Sequence, residues 1–298
     1  MTEPVVATPA GSGPIVTRSA GSGPTVTRSA GSGPTVTRSA GSGPEAEELL
    51  VARGISKAFG GVVALSELDF EVAPGEAVGI VGPNGAGKTT LFNCLLGVVP
   101  PDTGTVTFEG RRIDRLPVWR RSRLGIGRTF QRVELFHGMT VADHLLVAVQ
   151  ARSSGRLHLS DLLRRGGPGE EELAAVASML ALLGLEDVAD RLVDGLSLGH
   201  ARLVELGRAL MGSPRLLMLD EPSSGLDVHE TERLAGILAD VRRRQGTAVV
   251  LVEHDLELVE EVVDRLCVLD FGRMIAVGSV DDVLANTEVR RAYLGTGA

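Results

Sequence analysis

Two cysteines are all that the 298 residues contain, Cys94 and Cys267, and each stands inside an apolar run. That number excludes a disulfide framework and reads as two buried, reduced thiols. Long apolar runs are also missing. No stretch approaches the ~18 residues of a membrane-spanning helix, and no basic-then-apolar leader opens the chain. The expectation is a cytosolic protein that reaches any membrane through a partner. Positive charge is not in excess either: the formal net charge is −8, which argues against nucleic acid as a partner. What is present, 43% apolar and 23% charged residues, is ordinary for a globular protein with one large domain or two small ones.

From Ala10 to Pro44 the sequence repeats A-G-S-G-P-[IT]-V-T-R-S, the last copy cut short. Gly, Ser and Pro recur too often there for helix or strand, so residues 1–47 read as a disordered tail. Its repeated Arg18, Arg28 and Arg38 leave open weak binding to anionic lipid, or phosphorylation of the neighbouring Ser and Thr. Residues 48–298 read as the folded part. Leu49–Arg53, Val62–Leu65 and Leu68–Val72 read as short strands, broken at Gly60-Gly61 and Ser66-Glu67. The middle, about 132–195, reads as mostly helical around a polar loop, Ser153 to Gly169, with His137, His144 and His158 at the surface because their spacing fits no metal. The last third alternates apolar strands with amphipathic helices, the pattern of a parallel sheet covered on both faces.

The motif at the centre is Gly82-Pro83-Asn84-Gly85-Ala86-Gly87-Lys88-Thr89, which fits G-x-x-x-x-G-K-[ST]. It lies between the apolar run Ala77–Val81 and a helical run from Thr90, the only setting in which the motif is credible. Its glycines let backbone N–H groups converge on a polyphosphate, and the helix dipole adds positive potential there. Lys88 reaches the terminal phosphates and the Thr89 hydroxyl is placed to ligate Mg²⁺. Leu216–Asp220 is a buried strand closed by a carboxylate, suited to the same Mg²⁺, and Glu221 is placed to position or deprotonate an attacking water. His254 follows another apolar strand and can meet the γ-phosphate and hold Glu221. Gln131 ends the strand-like run from Gly125 and can sense a ligand. Ser197 caps a helix whose N-terminus is a second phosphate-binding device, reasonable if it serves the nucleotide of another subunit. Phe59, in the first turn, reads on its own as a core residue, with base stacking as the alternative.

In this order the motifs resemble the ATP-binding cassette (ABC) ATPases over about residues 48–295. Gly82–Thr89 matches the Walker A motif, Leu216–Glu221 the Walker B and Gln131 the Q-loop. Leu196–His200 matches the signature L-S-G-G-Q, Ser224–Asp227 the D-loop, His254 the switch histidine and Phe59 the A-loop aromatic. The resemblance implies an α/β P-loop NTPase fold with a mainly parallel core sheet, an N-terminal antiparallel β subdomain and a helical subdomain. It implies ATP and Mg²⁺ as ligands, with Gln131 joining Thr89 and Asp220 at the metal. It implies that Ser197, Gly199 and Asp227 complete a site held by a second cassette, homo- or more often heterodimeric. It makes Phe59 a base-stacking residue and Lys88, with Gly82 to Thr90, the phosphate cradle. Leu124–Gln131, Leu135-Phe136, Met139–Val141 and the ending Val289–Gly295 resemble the ATPase of branched-chain amino-acid importers; the ending also resembles the lipopolysaccharide-export ATPase. The importer resemblance implies two membrane permease subunits, an extracytoplasmic solute-binding protein and a place on the inner face of the plasma membrane. A soluble ABC protein acting on nucleic acid fits less well, since such chains usually carry two cassettes or zinc insertions.

The signature departs from L-S-G-G-Q at Leu198 and His200. A histidine there is expected either to weaken dimer closure or to make it sensitive to pH, because imidazole changes charge between pH 5 and 8. His200→Gln is therefore expected to flatten the pH profile of ATP hydrolysis; an unaltered profile rejects the idea.

Overall fold

The computed structural model describes residues 25–27, 35–37, 48–129, 133–153 and 168–294. The chain divides into two units, Met1–Pro44 and Glu45–Ala298. In the first, β1 (Thr25–Thr27) and β2 (Thr35–Thr37) pair antiparallel, with Thr25 opposite Thr37. The reading of the repeats as unable to form strand is corrected at these triplets. Each Thr-Val-Thr is β-branched throughout and suits a pleated ladder, whatever the composition of the residues around it.

The second unit opens with an antiparallel sheet in the order β4-β3-β6-β7, from β3 (Leu50–Phe59), β4 (Val62–Val72), β6 (Thr103–Phe108) and β7 (Arg111–Arg112). The break expected at Ser66-Glu67 does not occur. Glu67 sits at φ 48° and donates its N–H to Ser56 Oγ at 3.0 Å, so the strand continues through shifts of register.

Six strands form the second sheet, in the order β12-β11-β5-β10-β9-β8: β5 (Ala77–Val81), β8 (Ile126–Arg128), β9 (Leu216–Asp220), β10 (Ala248–Val252), β11 (Arg265–Asp270) and β12 (Arg273–Gly278). Only the β11–β12 pair is antiparallel. Strands buried on both faces need apolar residues throughout, which is why β5, β9 and β10 show no polar alternation. Their residues still alternate between two cores. Leu217, Leu219, Val249 and Leu251 join one; Leu216, Met218, Val250 and Val252 join the other with α1 (Lys88–Leu96) and the antiparallel sheet.

On the first core's side lie α3 (Val141–Ser153), α4 (Glu170–Leu183) and α5 (Leu198–Met211). They approach closely because Gly207 has no side chain: a Cβ there would meet Leu183 Cδ1 at 2.6 Å and Leu145 Cδ2 at 2.8 Å. His144 was expected at the surface but is buried. Its Nε2 accepts the Phe136 N–H at 2.8 Å, so the ring proton sits on Nδ1 and is donated to the Thr140 carbonyl at 2.9 Å. The ring spans a turn with both nitrogens used, which a spacing search for metal ligands cannot reveal. His137 is exposed as expected, and His158 lies outside the described residues.

One charge is buried beneath the helix that follows the phosphate loop. Arg121, on α2 (Val118–Arg123), is 1% exposed. Its guanidinium donates to the carbonyls of Cys94 and Leu95, at 2.9 and 2.6 Å, and to those of Leu116 and Asp114, both at 3.0 Å. Both lie at the C-terminus of α1, where Cys94 O also accepts the Gly97 N–H at 3.2 Å and a cation meets the negative end of the dipole. Burial pulls its pKa down to about 10, so it stays charged near neutrality. Gly97 makes room for it, since a Cβ there would lie 2.5 Å from Arg121 Nε. Arg121→Met should lower the unfolding free energy by about 3 kcal/mol in urea titrations, by taking the guanidinium donor from the Leu95, Leu116 and Asp114 carbonyls. A loss under about 1 kcal/mol would mean those carbonyls find other partners.

Candidate functional site

The phosphate loop leaves the sheet at the carboxyl end of β5, between β10 and β11. Gly82 has φ 149°, and a Cβ there would overlap the Leu269 carbonyl at 2.1 Å. Gly87, at φ 103°, has the Ala64 carbonyl 2.6 Å from its Cβ position. No other residue fits either place, because the loop is pressed against β4 and the β11–β12 turn. Gly272 in that turn donates its N–H to Ala86 O at 2.9 Å and accepts from the Ser66 N–H at 2.9 Å. Asn84, Gly85 and Thr89 are exposed, while Pro83 and Thr90 are partly covered.

Lys88 is buried at the first turn of α1 and donates to Gly82 O at 2.6 Å and Pro83 O at 3.0 Å. Burial lowers its pKa, opposed by the charges of Glu221 and then Asp220. Both carboxylates lie near enough to favour the charged ammonium. Asp220 ends β9 and is itself buried; burial, then Glu221 and Glu253, push its carboxyl up to about 6, with His254 and Lys88 opposing. Glu221 stands at φ 49°, a left-handed conformation that costs a non-glycine residue roughly 1–2 kcal/mol. Its Oε1 meets His254 Nε2 at 2.8 Å. Lys88, Asp220, Glu221 and His254 thus form one cluster.

The cluster contains a residue that the sequence reading passed over. Glu253, 2% exposed, follows β10 and accepts the Ser223 N–H with Oε1 at 2.8 Å and the His254 N–H with Oε2 at 3.0 Å. Its signal was a carboxylate closing an all-apolar strand, next to a more conspicuous histidine.

A second group gathers around the start of α5. Ser197 caps the helix, its Oγ accepting the His200 N–H at 3.2 Å and lying 2.9 Å from His200 Nδ1. Ser197 and Leu198 are exposed, whereas Gly199 is buried against Glu230, whose Oε1 would be 2.0 Å from a Cβ. Glu230 belongs to α6 (Val228–Gln245), capped by Asp227, whose side chain accepts the Glu230 N–H at 2.9 Å. Ser197, Gly199 and Asp227 are thereby connected through the N-termini of two helices. The stretch from Ser223 to Asp227 links them to the first cluster.

Phe59 stands apart from both. It is 49% exposed, with the Lys57 ammonium 5.4 Å from its ring centre and held by Asp102 at 2.6 Å. This exposure corrects the core reading that its sequence position alone suggested, and leaves a ring face free to stack. Gln131 lies outside the described residues; the strand leading to it ends at Arg128, after which Thr129 donates to Met218 O at 3.1 Å.

Among the described residues no three His, Cys, Asp or Glu side chains are arranged to hold a metal by themselves. The Thr89 hydroxyl and the Asp220 carboxylate are hard oxygen donors, beside further carboxylates that favour a cation. They fit Mg²⁺, which takes one or two protein oxygens and completes its shell with phosphate and water.

A family model described as ABC transporter matches residues 65–224, and one described as branched-chain amino acid ATP-binding cassette transporter matches residues 273–298. The chain is 39% identical over 253 residues to the high-affinity branched-chain amino acid transport ATP-binding protein LivG of Salmonella typhimurium, covering 84% of this chain and 99% of that one. To the lipopolysaccharide export system ATP-binding protein LptB of Acidithiobacillus ferridurans it is 34% identical, over 83% of this chain and 97% of that one. Among solved structures, the ADP conformation of an ATP-binding cassette of an ABC transporter superposes with a TM-score of 0.72 at 33% identity, over 83% of this chain and 99% of the other. The fold, the phosphate loop and these likenesses agree: the chain belongs to the ATP-binding cassettes of ABC transporters, the ATPases of that transport class.

Proposed function

We propose that this cassette is the ATP-hydrolysing, energy-coupling subunit of an importer of branched-chain or related amino acids. The observation that carries this reading is the 39% identity to LivG across 99% of that protein, together with the match of residues 273–298 to the branched-chain family. The exporter LptB is also similar, at a lower 34% identity over 97% of its length.

In this reading the backbone N–H groups of Gly82 to Thr89 and the Lys88 ammonium bind the phosphates, Thr90 lies at the same helix N-terminus, and Phe59 stacks on the base. Thr89 and Asp220, with Gln131, would hold Mg²⁺, which supplies neutralisation of phosphate charge. Glu221 accepts a proton from the water that attacks the γ-phosphorus, and His254 holds the carboxylate in place. Ser197, Gly199 and Asp227 of one subunit close over the nucleotide of a second cassette, a paralogue by preference. Closure moves the helices α3 to α5 against two membrane permease subunits, fed by a solute-binding protein. No helix among the described residues is long and apolar enough to cross a membrane, so attachment at the inner face of the plasma membrane is through the permeases.

Glu221→Gln keeps the geometry and removes the base. It should cut ATP turnover by about 10²–10⁴-fold, the range of a lost general base, and accumulate an ATP-bound dimer on gel filtration. Undiminished turnover takes the role away from Glu221. Identifying the permeases that co-purify, then measuring leucine, isoleucine and valine uptake in a deletion strain, tests the substrate class; normal uptake of all three rejects it.

A further inference from the structure

We propose that Glu253 is a positioning residue for hydrolysis, one that sets the geometry of the Glu221–His254 pair without touching substrate. The proposal rests on the reading of Glu221 as the base.

A carboxylate at 2% exposure is an expensive group to keep, and its surroundings make it more so. Among the described residues no lysine, arginine or histidine side chain forms a salt bridge with it, while Asp220 and Glu221, both carboxylates, are close by. Charge pairing does not account for its presence. What it has is two backbone donors, one per oxygen: Ser223 N–H at 2.8 Å and His254 N–H at 3.0 Å. Charge-assisted bonds of this kind are short, directional and stronger than neutral ones.

The two donors come from the two segments that carry the pair. Ser223 lies two residues after Glu221, in the turn leaving β9. His254 begins the segment leaving β10. One side chain therefore ties the backbone of the base to the backbone of its histidine.

The tie matters because Glu221 is held where a non-glycine residue does not readily stay, at φ 49°. Such a conformation persists only when its surroundings over-determine it. Three hydrogen bonds do so: Glu221 N–H to Val252 O at 2.8 Å, Ser224 N–H to Glu221 O at 3.1 Å, and Ser223 N–H to Glu253. The first two are available to any sequence with this backbone. The third depends on a side chain, and that side chain is Glu253. Without it Ser223 N–H loses its acceptor, the turn can relax out of the left-handed region, and the Glu221 carboxylate leaves the 2.8 Å contact with His254.

The test is a double-mutant cycle on ATP hydrolysis by the full-length chain, using Glu253→Gln and Glu221→Gln alone and together. Gln can accept only one of the two N–H groups. Glu253→Gln should reduce kcat by at least about 10-fold, with KM for ATP and the melting temperature near those of the unaltered chain. In the Glu221→Gln background it should change the residual rate less than about 2-fold, because there is no base left to aim. A kcat within about 2-fold of the unaltered chain, or a loss that multiplies in full in the double variant, overturns the proposal. Glu253→Asp keeps the charge but falls short of both donors and should repeat the kcat loss, and it decides the matter if the Gln variant fails to fold. If Glu221→Gln itself retains turnover, the reading of Glu221 as base fails first, and the two failures are told apart.

Discussion

Val252 pairs with Asp220 on one side and with Ile80 on the other. That single level of register across three parallel strands decides where the chemistry can stand. It brings the phosphate loop, the Asp220-Glu221 pair and the Glu253-His254 pair out of the sheet at one edge, each within a residue or two of its strand's end. Slipping any strand by one residue would turn its side chains to the opposite core and move the polar residue at its end out of line. The two apolar cores resist such a slip, since each strand contributes to both. Stability and site geometry are therefore set by the same contacts.

Around that edge the polar groups divide by whether they are paired with charge or with backbone. Lys88, Arg121 and Glu253 are buried charges, and each spends its hydrogen bonds on main-chain partners. Arg121 secures the far end of the helix that begins at Lys88, so the loop is braced at both ends of α1. Glu253 joins the turn after Glu221 to the backbone of His254. In each case a side chain replaces a missing main-chain partner at the end of a strand or helix, where the regular ladders run out.

Much of this was legible from residue order. Uninterrupted apolar strands announced the parallel sheet, and the spacing of Gly82, Gly87, Lys88 and Thr89 announced a glycine loop between a strand and a helix, because both depend on local rules. What was not legible depends on contacts between distant residues. The burial of His144 follows from a turn at Phe136, and that of Arg121 from carbonyls of another helix. Glu253 looks like any polar residue after a strand until its two donors are seen. Ser66-Glu67 looked like a break because a polar pair separates two apolar runs, yet the ladder absorbs it as an irregularity. Phe59 was misjudged on its own sequence position for the opposite reason: aromatic residues are usually buried, and here the ring is left half open.

The departure of the signature at Leu198 has a counterpart elsewhere in the chain. Leu198 Cδ2 would lie 2.6 Å from a Cβ on Gly225, a residue at φ 81° in the turn before α6. Position 225 is thus held to glycine twice over, by the Leu198 side chain beside it and by its own left-handed backbone. A smaller residue at 198 would lift only the first of these restraints, so the turn before α6 stays closed to side chains even where the signature returns to glycine.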